Sequence, residues 1–157
     1  MFQFFKKKKE VIYAPCSGQV IPITEVKDPV FSQKLLGDGF AIIPNNKKIT
    51  APFTGQVVSI FPTKHAISLK TESGINYLIH IGIDTVRLNG EPFSIFVKEN
   101  DKVKNGDLIA EVDFEQIVRA KKDPSVIIVF TEENQISNLN VNNELVENNQ
   151  SCGEIYS

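Results

Sequence analysis

Two histidines, His65 and His80, are the residues best suited to chemistry in this 157-residue chain. Neutral imidazole is a good nucleophile near neutral pH. Where two rings adjoin, one can take up a phosphoryl group while the other donates a hydrogen bond to its oxygens. The pair flanks an apparent hairpin turn at Glu72, Ser73 and Gly74. A two-residue Ser73-Gly74 turn pairs Ile67 with His80 and leaves His65 diagonal to it. A Glu72-Ser73 turn sets the histidines directly opposite, and either register brings their Cβ atoms within about 5–8 Å. A three-residue loop would put them on opposite faces of the sheet. His80 alternates with Ile79 and Ile81, so it should point away from the core and be reachable. His65 shares parity with Ile67 and Leu69, which predicts apolar surroundings. The Gly82 carbonyl is a candidate acceptor for the second nitrogen of His80, and the Thr63 hydroxyl can orient His65.

Other readings of the same residues stay open at this point. A histidine beside apolar neighbours is commonly a core residue with its nitrogens satisfied. Both histidines with Asp84 could hold a zinc ion with one open position, although structural zinc normally takes four ligands and no cysteine cluster is present. There is no G-x-S-x-G and no G-x-x-x-x-G-K-[ST], so serine hydrolysis and P-loop nucleotide chemistry are excluded. Any phosphate must then arrive on a partner, and no cofactor is required.

The elements that must position these side chains read as short strands. Apolar stretches alternate with turn residues such as Gly18, Pro22, Pro44, Gly55, Pro62, Gly74, Gly90 and Gly106, a pattern of sandwiches and barrels. Ile75, Tyr77, Ile79 and Ile81 alternate most clearly and should face the core. An internal repeat, Ala14-Pro15-Cys16-Ser17-Gly18-Gln19-Val20 and Ala51-Pro52-Phe53-Thr54-Gly55-Gln56-Val57, suggests two strands that begin alike. Two short helices are predicted. One has Asp28 as cap, Pro29 in its first turn, Val30, Phe31 and Leu35 on a stripe, and Gly37 as its end. The other runs over 114–122, with Asp113 and Gln116 as a capping box and Phe114, Ile117 and Val118 inward. Residues 1–10 read as a tail, 11–150 as one domain and 151–157 as a frayed end. The expected fold is all-β, an antiparallel β-sandwich with Greek-key or jelly-roll-like connections.

A net charge of −2 removes the electrostatic footprint of general nucleic-acid binding. The longest apolar run, Val126 to Phe130, is far short of the roughly 20 residues of a spanning helix. Cys16 and Cys152 lie far apart with no secretory signal before them, which fits a reducing cytoplasm, though a single bridge between them is conceivable. The opening MFQFFKKKK allows at most a weak membrane-surface contact and otherwise reads as a solvated tail. Met1 suggests a free polypeptide.

The runs FPTKHAISL (Phe61 to Leu69), LIHIGIDTV (Leu78 to Val86), LLGDGFAIIP (Leu35 to Pro44) and VKNGDLI (Val103 to Ile109) resemble the glucose-type IIA domains of the bacterial phosphoenolpyruvate-dependent sugar phosphotransferase system. The repeat APCSGQV and APFTGQV does so as well. The resemblance implies a histidine that accepts a phosphoryl group from the phosphocarrier protein HPr and passes it to a cysteine of a sugar-specific IIB domain. By motif position that histidine is His80, His65 is its stabilising neighbour, and Thr63 orients His65. It further implies a partner-binding apolar depression at Val30, Phe31, Phe61, Leu78 and Val86, with Asp28 and Asp84 at its rim. A zinc ion at His65 and His80 is possible when a partner is bound. A regulatory role, in which the same face inhibits transporters or metabolic enzymes according to phosphorylation, is the alternative function.

Overall fold

A computed structural model describes residues 8–132 and 134–157. Its strands are β1 (Lys9–Tyr13), β2 (Gly18–Pro22), β3 (Asp38–Pro44), β4 (Lys48–Thr50), β5 (Gly55–Ile60), β6 (Ala66–Thr71) and β7 (Asn76–Ile81). They continue as β8 (Phe93–Ile95), β9 (Lys102–Val103), β10 (Leu108–Val112), β11 (Val126–Phe130), β12 (Asn138–Val141), β13 (Leu145–Val146) and β14 (Ser151–Tyr156). Two short helices, α1 (Pro29–Ser32) and α2 (Phe114–Arg119), and two 3-10 turns, Ile23–Glu25 and Thr85–Leu88, complete the elements among the described residues.

Every strand pairing is antiparallel. The main sheet has eight strands in the order β13-β2-β3-β11-β7-β6-β5-β9, and two three-stranded sheets, β1-β14-β12 and β4-β10-β8, complete the sandwich. β11 lies between β3 and β7, a Greek-key-like crossover. The core draws on all three sheets, with Ile12, Phe40, Ile49, Leu69, Ile79, Ile109, Ile128 and Ile155 buried in one cluster. Ile75, Tyr77, Ile79 and Ile81 all face it. The repeated Ala-Pro segments both lead into strands that start at a glycine, Gly18 and Gly55. A Cβ at either position would run into a neighbouring strand's carbonyl, that of Ile43 or that of Lys70.

The other face of the main sheet carries a second, smaller apolar cluster of Ile23, Val26, Phe31, Ala41, Ile127 and Val129. β11 is therefore buried on both faces, which is why all five of its residues are apolar. The segment 23–31 lies over this outer face and stops at the histidines.

Several expectations are corrected. The tail ends before Lys9, because Lys9 and Glu10 pair with Tyr156 and Ile155; the membrane-surface reading of MFQFFKKKK falls largely on residues outside those described. Residues 151–157 are not frayed: β14 is the central strand of its sheet, held on both sides. Helix α1 is only one turn long, so Phe31 alone of its stripe is buried, while Val30 and Leu35 are 42% and 67% exposed. It ends at a left-handed Lys34 (φ 57°), with the Lys34 and Leu35 N–H groups donating back to Phe31 and Val30. Helix α2 stops at Arg119, and Val118 is exposed while Ile117 is buried. Asp113 accepts the Gln116 N–H, but the Gln116 amide donates to Glu91, so the capping box is half made. Cys16 and Cys152 are buried free thiols.

Candidate functional site

His80 projects from β7 onto the outer face. Across five adjacent strands, Ile21, Ala41, Ile127, His80 and Ala66 form one row of directly paired positions. The imidazole is thus flanked by apolar or small side chains, and the Phe31 ring stands 5.0 Å from its centroid at 59°.

The hairpin register differs from both two-residue turns. Ala66 pairs with His80 and Lys70 with Asn76, and the Thr71 N–H donates to the Ile75 carbonyl, so Glu72, Ser73 and Gly74 form a three-residue loop. Strict alternation in that register would send His65 to the core face. The rings meet nonetheless, with centroids 5.1 Å apart and planes at 78°. Alternation applies only to extended residues, and β6 begins at Ala66. Before it, the Lys64 N–H donates to the Phe61 carbonyl at 2.7 Å and Lys64 is left-handed (φ 61°). This tight turn redirects His65 toward His80. His65 is 7% exposed, walled by the Phe61 ring at 5.5 Å.

Each ring has one nitrogen engaged. His80 Nδ1 lies 2.7 Å from the Gly82 carbonyl oxygen. A carbonyl can only accept, so Nδ1 carries the proton and neutral His80 keeps its lone pair on Nε2. His65 Nδ1 lies 2.6 Å from the Thr63 hydroxyl. The pKa of His80 is pushed down to about 4. Burial is the largest cause and the neighbouring His65 adds to it, opposed by the bond to Gly82 and by the Asp28 carboxylate. Burial also lowers the pKa of His65. Both rings are therefore neutral at neutral pH.

The remaining expected residues surround the pair unevenly. Val30, Phe61 and Val86 are exposed at 42%, 38% and 45%. Leu78 is half-buried on the His80 face, and Phe31 is buried as a wall of the site. Asp28 is half-buried, caps the Val30 N–H at 2.8 Å, and enters no ion pair among the described residues. The Asp84 carboxylate is occupied: Lys122 Nζ lies 2.9 Å from one oxygen and Arg87 Nε 3.0 Å from the other. Those two bonds hold its pKa below the usual carboxylate range. Asp84 does not complete a metal site with the histidines, and no group of three or more metal-ligating side chains gathers among the described residues. Lys122 was not legible as part of the site, since it lies 38 residues from Asp84, whereas Arg87, only three residues from Asp84, is a local pair that the sequence reading missed. A cleft of about 590 Å³ lies elsewhere, between Lys47, Glu91 and Phe114, and contains neither histidine. Among the described residues no helix is long and apolar enough to cross a membrane.

Residues 10–136 match the family described as phosphoenolpyruvate-dependent sugar phosphotransferase system, EIIA 1. The chain is 49% identical over 127 residues to the PTS system glucose-specific EIICBA component of Streptococcus pneumoniae serotype 4, a match that covers 81% of this chain and 18% of that protein. This chain therefore spans under a fifth of that relative's length. Its fold superimposes on glucose permease IIA from Mycoplasma capricolum with a TM-score of 0.85 and 36% identity, covering 97% of this chain and 99% of that one. With the sandwich, the motif segments and these likenesses in agreement, the chain belongs to the EIIA 1 family of the phosphoenolpyruvate-dependent sugar phosphotransferase system.

Proposed function

We propose that this chain is a cytoplasmic phosphoryl carrier that takes a phosphoryl group from phosphorylated HPr onto His80 Nε2 and hands it to the cysteine of a IIB domain. The reading rests on one observation above all: two neutral imidazoles at 5.1 Å whose Nδ1 atoms are both engaged by other groups. The Nε2 lone pair of His80 attacks phosphorus in line as the N–P bond to the donor imidazole breaks, and that imidazole leaves with the bonding electron pair. No proton need leave His80 in this step. Positive charge develops on its ring, and the Gly82 carbonyl and Asp28 carboxylate, which both favour a charged ring, stabilise it. If Thr63 donates to His65 Nδ1, His65 carries its proton on Nε2 and donates to a phosphoryl oxygen. Delivery to the IIB cysteine forms S–P as the His80 N–P bond breaks, returning His80 to its neutral form.

The exposed apolar side chains Val30, Phe61 and Val86, with Leu78 deeper, suit a protein partner, and the Asp28 carboxylate suits a basic group on it. The likeness to a glucose-specific EIICBA component favours a glucose-class IIB domain as acceptor. Incubation with phosphoenolpyruvate, enzyme I and HPr should charge the chain stoichiometrically, and adding a glucose-class IIB domain should discharge it. A chain that stays unlabelled overturns the reading. Regulatory binding through the same face is tested by comparing what the phosphorylated and unphosphorylated forms capture. The two imidazoles supply two of the four donors that zinc prefers, so a zinc ion held at this pair would take its remaining donors from a bound partner or water. Removing such an ion by chelation should weaken that complex and leave phosphoryl transfer unchanged.

A further inference from the structure

Resting on the carrier reading, we infer that Thr85 is a positioning residue for His80: its buried hydroxyl fixes the backbone that aims the Gly82 carbonyl at the ring. That carbonyl accepts from His80 Nδ1 at 2.7 Å and so decides which nitrogen is free. It belongs to a glycine at φ 76°, and glycine has the widest backbone freedom of any residue. A glycine does not hold its own carbonyl in one direction. The direction is imposed by what surrounds it.

Two peptide units flank the Gly82 Cα, and each is held at both ends. In the unit after Gly82, the carbonyl takes the His80 proton and the Ile83 N–H donates to the Asp123 carbonyl at 2.9 Å. In the unit before it, the Gly82 N–H donates to the Ser125 carbonyl at 2.8 Å, and the Ile81 carbonyl accepts the Thr85 hydroxyl at 2.5 Å. Apart from His80 itself, Thr85 contributes the only side chain to these attachments. Its bond spans the turn from end to end, a hydroxyl reaching back to the carbonyl four residues earlier.

The whole Thr85 side chain is committed to this turn. The residue is fully buried, so its hydroxyl has no water to turn to, and deleting it leaves the Ile81 carbonyl short of a donor. A Cβ placed on Gly82 would collide with the Thr85 methyl group. The methyl therefore fills the space beside the glycine while the hydroxyl holds the peptide before it. Ile81 in turn follows His80 directly, and its N–H donates to the His65 carbonyl at 2.7 Å. Thr85, Ile81 and His65 thus form one hydrogen-bonded chain alongside the His80 backbone. The Thr85 bond is neutral and enclosed, so salt should not loosen it.

The test compares Thr85→Val, which keeps the shape and removes the hydroxyl, with Thr85→Ser, which keeps the hydroxyl and removes the methyl. Each is read by ¹⁵N NMR of His80 in the unphosphorylated full chain at pH 7. The wild type should hold His80 almost wholly as the Nδ1–H tautomer. In Thr85→Val the two tautomers should mix, and the maximal rate of phosphoryl uptake from phosphorylated HPr should fall about three- to tenfold with half-saturation unchanged. Thr85→Ser should keep the wild-type tautomer and a rate within about twofold of the wild type, although it loses packing. If Thr85→Val folds poorly, Thr85→Ala takes its place, and its tautomers should mix as well. A wild-type tautomer in the variants without the hydroxyl overturns the inference. So does equal mixing in Thr85→Ser, the mark of a residue that only packs. If the wild type takes up no phosphoryl group, the carrier reading fails, and the tautomer comparison still decides the role of Thr85.

Discussion

The account requires His80 to be neutral well below neutral pH. Its pKa is lowered from 6.5 to about 4. At pH 5 a group titrating near 4 is about nine-tenths neutral, while an ordinary histidine is roughly one-thirtieth neutral. Lowering the pH from 7.5 to 5 should therefore leave the nucleophile almost fully available. The sign of the linked stability follows from the same shift. Unfolding returns the ring to a pKa near 6.5, so the unfolded chain binds more protons between that value and about 4. The stability that His80 contributes is complete above pH 6.5 and is lost as pH falls toward 4, on the order of 3 kcal/mol in all. His65, lowered in the same direction, adds to the loss. Urea unfolding from pH 7.5 to 4 should show this slope, and His80→Gln should flatten it. An NMR titration of His80 with a midpoint near 6.5 would refute the reasoning, because the burial and the Phe31 contact would then not exclude the charged ring.

Three further outcomes follow from named contacts. His65→Gln should still accept a phosphoryl group from phosphorylated HPr but pass it poorly to the IIB cysteine; normal sugar phosphorylation by this variant would remove the role given to His65. Gly82→Ala should destabilise the fold by about 1–2 kcal/mol, as measured by urea unfolding, because φ is 76° and a Cβ there would meet the Thr85 methyl group and approach the Asp123 carbonyl oxygen to 3.0 Å; it should also disturb the His80 tautomer. Tyr77→Phe should leave stability unchanged or raise it by up to about 1 kcal/mol, since the buried Tyr77 hydroxyl has no hydrogen-bond partner among the described residues; a loss above 2 kcal/mol would show that it has one.

The sandwich was legible because alternation is a local signal: Ile75 to Ile81 and the two Ala-Pro-x-[ST]-Gly segments carry their own geometry. The engaged nitrogens were legible too, because Thr63 and Gly82 each sit two residues from the ring they touch. What the chain concealed is non-local or depends on one backbone angle. The hairpin register was open to a single-residue error, and the meeting of the rings depends on the left-handed Lys64, which no pattern at Thr63-Lys64-His65 announces. β14 looked frayed because one of its two partners, β1, lies some 140 residues away and outside any sequence window, while the nearer one, β12, is only four residues long and half asparagine. Lys122 was hidden for the same reason, being brought to Asp84 only by the return of the chain through α2.

The central claim is that His80 Nε2 carries the phosphoryl group. The most direct measurement is ³¹P–¹⁵N coupling in the ¹⁵N-histidine-labelled chain charged by phosphorylated HPr. The account predicts one coupled nitrogen, Nε2 of His80, with Nδ1 still bearing its proton and no coupling at His65. Phosphorus coupled to Nδ1 of His80, or to either nitrogen of His65, would contradict it.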